Sequence, residues 1–270
     1  MPHSAKASAR RRGEVRREVD LVGRRGRTRR AIFEHPAPVR LAHWTIALAV
    51  PILALSGLQI FRAFPSFGAK IPERDLLELP LWAGLGGWLG GALRWHFTFF
   101  WLFLGAGVVY AAYQIASGNW RQVIVSRRDL GGVVPMALHY LRRRPAPAYA
   151  GAYNPLQKLA YTTTLAAGAL AALSGLALYK PVQLAWLVVA LGGFRLARLW
   201  HFLAMLGLLA FVPGHLSMVA LHGWNNFRSM WTGFKLMPAS EATEGQARSD
   251  RDSSPRASHE VAAGGASDGR

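Results

Sequence analysis

Residues 199–226 read L-W-H-F-L-A-M-L-G-L-L-A-F-V-P-G-H-L-S-M-V-A-L-H-G-W-N-N, a stretch without formal charge that is long enough to cross a bilayer as a helix. It carries His201 and His215, fourteen residues apart. Along a helix that spacing covers about 21 Å and returns to within about 40° of the same face. One helix therefore offers an imidazole near each membrane surface, both aimed at a common interior. That arrangement can hold two cofactors stacked across a membrane. Two polar residues at the interfaces are the plainer alternative, but ionisable residues within spans are rare and commonly functional, which favours ligands.

The rest of the chain is built for the same setting. Its 270 residues are 51% hydrophobic, and the apolar residues fall in long blocks, a membrane pattern. The net charge of +18 is uneven: residues 1–30 hold 11 Lys/Arg against 3 acids. Beside a membrane block, such an arm reads as a cytoplasmic segment lying on anionic lipid headgroups, and no nucleic-acid partner is expected. There is no cysteine. That excludes disulfides, cysteine-ligated clusters and covalent haem attachment, so a redox centre must be held by histidine or methionine or be a dissociable organic cofactor. The N-terminal Arg pairs precede a full-length span rather than a short apolar region with a cleavage site, so no signal peptide is read.

In order, residues 1–33 are expected to be a disordered basic arm. Residues 34–237 form the membrane domain, with spans at about 39–61, 94–117, 157–179 and 197–223. Residues 238–270 are expected to be a disordered cytoplasmic tail. Pro51 is expected to kink the first span. The Gly-rich patch at 81–91 is expected at the interface, and a short surface helix is expected near 132–141. Orientation follows the Lys/Arg asymmetry. Only Arg62, Lys70, Arg74, Arg94, Lys180, Arg195 and Arg198 fall on the side away from the termini. The reading is an all-α membrane protein, a four-helix transmembrane bundle with both termini cytoplasmic.

The two halves resemble each other. R-L-A-H-W-T at 40–45 aligns with K-L-A-Y-T-T at 158–163, and thirteen residues after His43 and Tyr161 both copies read L-S-G-L, at 55–58 and 173–176. R-W-H-F at 94–97 answers L-W-H-F at 199–202. His96 and His201 then share a depth on the non-cytoplasmic side. His43 and His215 share one on the cytoplasmic side, with Tyr161 standing where the second copy has no ligand. Four histidines resolve into two pairs at two depths. Paired neutral imidazoles without carboxylates suit bis-histidine haem iron, whereas zinc or copper wants three or four ligands at one point. Two haem b groups roughly 20 Å apart along the helix rise are the expectation. Gly57, Gly105, Gly107, Gly175, Gly207 and Gly214 would make room for macrocycles, although small residues also favour helix packing in general. Arg40 and Lys158 on one side, and Arg94, Arg195 and Arg198 on the other, are placed to meet haem propionates or to snorkel to the interface. Asn225, Asn226 and Arg228 read as caps of the last helix. His222 is the alternative to His215, and Trp82, Trp88 and Trp186 are interface anchors or a docking face.

Four motifs carry a family resemblance: H-P-x-P-V-R-L-x-H-W at 35–44, R-W-H-F at 94–97, Y-N-P-L-Q-K-L-A-Y at 153–161 and G-W-N-N-F-R-S-M-W-T-G at 223–233. Together they resemble the bacterial cytochrome b561, or nickel-hydrogenase-type di-haem cytochrome b, family over roughly 33–236, with the thiosulfate-reductase-type cytochrome b subunits nearest in character. The resemblance implies a four-helix core with two haems b ligated by His43, His96, His201 and His215, and quinone as substrate near the cytoplasmic haem. It further implies a bacterial inner-membrane subunit of respiratory electron transport that passes electrons between the quinone pool and an extracytoplasmic redox subunit such as a molybdoenzyme. The alternative is a stand-alone di-haem superoxide:quinone oxidoreductase. A haem-free transporter or scaffold is a third class, and the spans lack the buried carboxylate or Lys/Arg that ion coupling would need.

Overall fold

A computed structural model describes residues 18–22, 28–63, 83–142, 145, 147–149 and 153–238. Four of its helices are long and apolar enough to span a membrane: α1 (Ala37–Ala63), α2 (Leu89–Ser117), α5 (Pro155–Tyr179) and α7 (Phe194–Thr232). Between them lie the shorter α3 (Trp120–Val123), α4 (Arg127–Tyr140) and α6 (Ala185–Ala190). The protein is a helical bundle with four helices able to cross a membrane.

Local chemistry accounts for where the spans begin and end. α5 opens with a capping box: the Asn154 side chain accepts from the Gln157 backbone N–H at 2.9 Å, and Gln157 accepts from the Asn154 N–H at 3.1 Å. Pro155 follows at the first helical position, where its missing N–H costs nothing. α2 stops at Gly118, whose φ of 73° suits only a residue without a Cβ. α1 continues through Pro51, the residue expected to kink it.

The spans pack as two hairpins, α1 on α2 and α5 on α7, with α1 and α7 also in contact. Small side chains fill the seams: Ala49, Ala54, Ala92, Ala177 and Ala197 are all buried. Lipid tails are as apolar as leucine, so close backbone approach rather than bulk hydrophobicity favours association here. Val108, Ile115, Leu173 and Leu206 point outward and are exposed.

The start of α1 and the end of α7 meet at what we call the terminal layer. His35 N–H donates to the Gly233 carbonyl at 3.2 Å, and the Arg40 guanidinium donates to the Trp231 carbonyl. Trp44 donates to the Met230 carbonyl at 3.2 Å and stacks on Trp231 with centroids 4.1 Å apart. The last span thus does not finish at 223. Gly223, with φ 79° and ψ 175°, breaks the helical ladder, the helix resumes, and Gly233 (φ 87°) ends it. Asn225, Asn226 and Arg228 accordingly lie inside helix rather than capping it.

A second unit consists of strands β1 (Glu18–Val22), β2 (Thr28–Phe33) and β3 (Phe234–Pro238), which form an antiparallel sheet in that order. This corrects the expectation of an unstructured arm through residue 33. The register sets Asp20 opposite Arg30 and Ala31 opposite Leu236. Pairing with a segment two hundred residues away is invisible to local composition, which is why charge and polarity read as disorder. The expectations for residues 1–17, 64–82 and 239–270 lie outside the described residues, as do Lys70, Arg74 and Trp82.

The expected surface helix is α4, starting earlier than anticipated because Asp129 initiates it. Its carboxylate accepts from the Ser126 hydroxyl at 2.6 Å and the Ser126 N–H at 2.8 Å, and forms an ion pair with Lys158 of α5 at 3.0 Å. These bonds, those from Ser126 first, pull the Asp129 carboxyl down to about 2. Because the folded value is depressed, the stabilisation is complete above an ordinary carboxylate pKa near 4 and is lost as pH falls through about 2. Asp129→Ala is expected to raise amide exchange across 127–140 roughly five- to tenfold, the loss of a cap worth about 1 kcal/mol, without altering exchange in α1. Unchanged exchange in α4 would contradict this account of its anchoring.

Candidate functional site

Three of the four spans, α1, α2 and α7, carry four histidines into the bundle interior, and they meet in twos. His43 of α1 and His215 of α7 face each other with ring centroids 6.1 Å apart and planes at 54°. His96 of α2 and His201 of α7 stand at the same 6.1 Å, with planes at 68°. The first pair lies in the terminal layer and the second in what we call the far layer, toward the opposite bundle end. α7 contributes one histidine to each. Among the described residues, no three His, Cys, Asp or Glu side chains converge on a point.

In the far layer, the neighbours of the two imidazoles are duplicated. Ser56 Oγ donates to the Ile52 carbonyl at 2.7 Å and lies 3.0 Å from His96 Nδ1. Ser174 Oγ donates to the Leu170 carbonyl at 2.5 Å and lies 3.2 Å from His201 Nδ1. His201 Nδ1 also lies 3.0 Å from the Ala171 carbonyl. Next to each serine, a glycine makes room for the ring. A Cβ on Gly57 would sit 3.3 Å from His96 Cε1, and one on Gly175 would sit 3.1 Å from His201 Cε1. Both serines are completely buried. Sequence reasoning missed Ser56 and Ser174; the available signal was the L-S-G-L repeat, whose serines are polar residues at matched positions in two otherwise apolar spans.

This layer opens into a cavity of about 450 Å³, within the range that small-molecule and cofactor sites occupy. Its walls are almost wholly apolar, including Phe61, Phe97, Phe100 and Phe202, with His96 and His201 among them. Arg198 also lines it and lies over the Phe61 ring at 5.4 Å. Arg94, expected to serve this side equally, is exposed and not part of the wall. In the repeat Arg94 aligns with Leu199, so Arg198 stands one residue, about 100°, away around its helix, and of the two only Arg198 lines the cavity.

In the terminal layer, His43 stands edge-on to Trp44 at 5.0 Å and His215 stacks on Phe211 at 5.3 Å. Three buried nitrogens here have no hydrogen-bond partner among the described residues: His43 Nδ1, Arg40 Nε and Arg228 Nε. Lys158, the other basic residue expected on this side, is instead engaged by Asp129. His222 is exposed, its Nδ1 bonded to the Met218 carbonyl at 2.7 Å, so the residue brought to His43 is His215. Of the remaining glycines, Gly207 would meet only Ala167 at 3.9 Å, while a Cβ on Gly105, Gly107 or Gly214 would meet nothing within 4 Å.

The family described as prokaryotic cytochrome b561 matches residues 34–233 of this sequence. The chain belongs to that family. It is 40% identical over 188 residues to a putative protein-methionine-sulfoxide reductase subunit YedZ1 of Azospira oryzae, covering 69% of this chain and 90% of that one. It is 23% identical over 207 residues to a probable Ni/Fe-hydrogenase B-type cytochrome subunit of Azotobacter chroococcum, covering 72% and 82%. A cytochrome b561 is a membrane electron-transfer protein using b-type haem. The histidine geometry fits that cofactor: two imidazoles sharing one metal through bonds of about 2 Å hold their centroids roughly 6 Å apart, and both pairs do so.

The glycine beside each far-layer histidine supplies a test. Gly175→Ala places a methyl 3.1 Å from His201, so the ring must shift, and the variant is expected to retain less haem per chain than the unsubstituted protein in a pyridine haemochrome assay. Gly131→Ala, at an open position of α4, is expected to leave haem unchanged and to stabilise its helix by about 0.5–1 kcal/mol. Full haem retention in Gly175→Ala would show that close approach at this glycine is not required.

Proposed function

We propose that this cytochrome b561 holds two b-type haems, one between His43 and His215 and one between His96 and His201, and relays electrons across the membrane between quinone and a redox subunit. The observation that carries the proposal is the repetition of one 6.1 Å imidazole separation at two depths of a single bundle. When bound, haem b supplies one-electron transfer at its iron.

The chain's own contribution is to position, to exclude water and to balance charge. Each histidine offers one nitrogen to the metal, and the far-layer pair does so inside an aromatic cavity that water has little reason to enter. Arg198 in the far layer, with Arg40 and Arg228 in the terminal layer, supplies guanidinium groups for the haem carboxylates. The unpartnered Nε atoms of Arg40 and Arg228 support this assignment. Arg228 thereby joins the residues proposed for cofactor binding, and Arg94 leaves them.

The positive-inside asymmetry supports a cytoplasmic terminal layer, with quinone reacting next to His43 and His215. The far layer then faces the extracytoplasmic side, where a partner subunit docks. A molybdopterin oxidoreductase is the proposed class of partner. Reduction of methionine sulfoxide in proteins is the proposed reaction, in keeping with the name of the Azospira relative. That direction makes quinol the electron donor, with its two protons released as its two electrons leave.

The deciding experiment is a reduced-minus-oxidised optical spectrum of the purified chain with haem counted per polypeptide. Two haems b are expected, falling to one in His201→Ala and to one in His43→Ala. One haem in the unsubstituted chain would dissolve one of the two pairs, and none would return the bundle to a haem-free class. Quinol-dependent reduction of a co-purifying soluble subunit is the expected partner result; superoxide-dependent quinone reduction by the chain alone would favour the stand-alone oxidoreductase.

A further inference from the structure

The hydrogen-bond accounting around His96 and His201 can be closed proton by proton. A hydroxyl has one proton to give. Ser56 spends its proton on the Ile52 carbonyl at 2.7 Å, and Ser174 spends its own on Leu170 at 2.5 Å. Toward the imidazoles, both serines can therefore only accept. The Ala171 carbonyl, 3.0 Å from His201 Nδ1, can also only accept. The Ala171 carbonyl therefore places the proton of His201 on Nδ1 and leaves Nε2 its lone pair, and the matched serine contact assigns the same tautomer to His96. The assignment comes from the neighbours, not from the ring.

The arrangement occurs in both copies of the repeat. Ile52, Leu53, Ser56 and Gly57 correspond to Leu170, Ala171, Ser174 and Gly175 at a single offset, and each set holds the histidine of its own hairpin. The terminal layer lacks it. His43 Nδ1 is buried with no partner among the described residues, and His215 is packed against Phe211. The two pairs share a centroid distance and differ in what stands behind the ring.

That difference has an electronic consequence. An imidazole whose N–H donates to an acceptor becomes the more basic ligand at its other nitrogen. A more basic axial ligand favours the oxidised iron, and such hydrogen bonding is one of the levers by which a protein tunes haem potential. Resting on the two-haem reading above, we propose that Ser56 and Ser174 are positioning residues that fix the Nδ1–H tautomer of His96 and His201 and lower the reduction potential of the far-layer haem. Among the described residues, no such acceptor stands behind His43. The Ala171 carbonyl contact remains when Ser174 is removed, so that serine contributes part of the effect. The equivalence of the copies requires both contributions to have the same sign and to act on the same haem.

The test is an optical redox titration of the full-length, haem-loaded protein in membranes or detergent. It compares the unsubstituted chain with Ser56→Ala, Ser174→Ala and the double variant, haem per chain being measured in parallel. The expected result is two haems throughout, one midpoint potential moving upward in each single variant and further in the double, and the other midpoint unmoved. His201→Ala identifies the moving transition, because the far-layer signal is the one it abolishes. Unmoved midpoints at full haem content would overturn the proposal, as would a shift of the terminal-layer haem or opposite shifts in the two single variants. Should a single variant lose the far-layer haem altogether, the other single variant carries the test; loss in both would leave the serines a purely structural role and overturn the electronic one. A count other than two haems in the unsubstituted chain would instead be a failure of the two-haem reading.

Discussion

A neutral imidazole in the middle of a membrane has one N–H that must find an acceptor and one lone pair that must be aimed. Water solves both problems at a protein surface; within a bilayer only the protein can. The far layer solves them with a serine one helix away whose own proton is already committed to its backbone. The seam between α1 and α2, like that between α5 and α7, is shaped by that requirement. A glycine follows the serine because the ring comes too near for a side chain, and alanines line the seam because the backbones must come close enough for a short hydroxyl to reach across.

Duplication explains the symmetry of this layer, and divergence explains the other one. The histidine of each W-H-F block has a partner of its own kind, so the far layer is two copies of one solution. At the depth of His43 the second copy carries Tyr161, and the position equivalent to His215 in the first copy is Tyr110. Tyr110 accepts a hydrogen bond from Gln114 at 2.8 Å, and Tyr161 stands edge-on to Tyr153 at 5.3 Å. Each copy thus kept one histidine in the terminal layer and placed a tyrosine at the other site. The remaining histidines meet across the contact between α1 and α7, a junction between the two hairpins.

Much of this was legible in the residues. Uncharged runs bounded by Arg, Pro and Gly marked the four spans, and the repeat with its two-depth spacing anticipated which histidines the fold brings together. What local pattern could not carry was direction around a helix at its ends. Arg94 and Arg198 look alike as sequence, yet only Arg198 faces the interior. Gly223 read as an end because a glycine after an apolar run usually is one. It is a bend here: the turns after it stay helical as far as Thr232, with Trp231 stacked on Trp44 of the first span. The strands at Glu18–Val22 and Thr28–Phe33 were hidden because their pairing runs through Phe234–Pro238. Ser56 and Ser174 were in plain view and unassigned, because a buried serine acquires a role only from whatever lies opposite it.

Both histidine pairs draw one member from α7, and this matters during synthesis as well as in the finished protein. Membrane proteins enter the bilayer from their N-terminus onward, so α1 and α2 are in place with His43 and His96 while the residues that complete them are still untranslated. Neither pair exists until the last helix has been threaded and has docked against the first hairpin. A chain cut short anywhere before residue 201 would hold no pair, and one cut between 201 and 215 would hold only the far-layer pair. Assembly of both pairs is thereby deferred until α7 has been made, and possession of both becomes a record that translation passed residue 215.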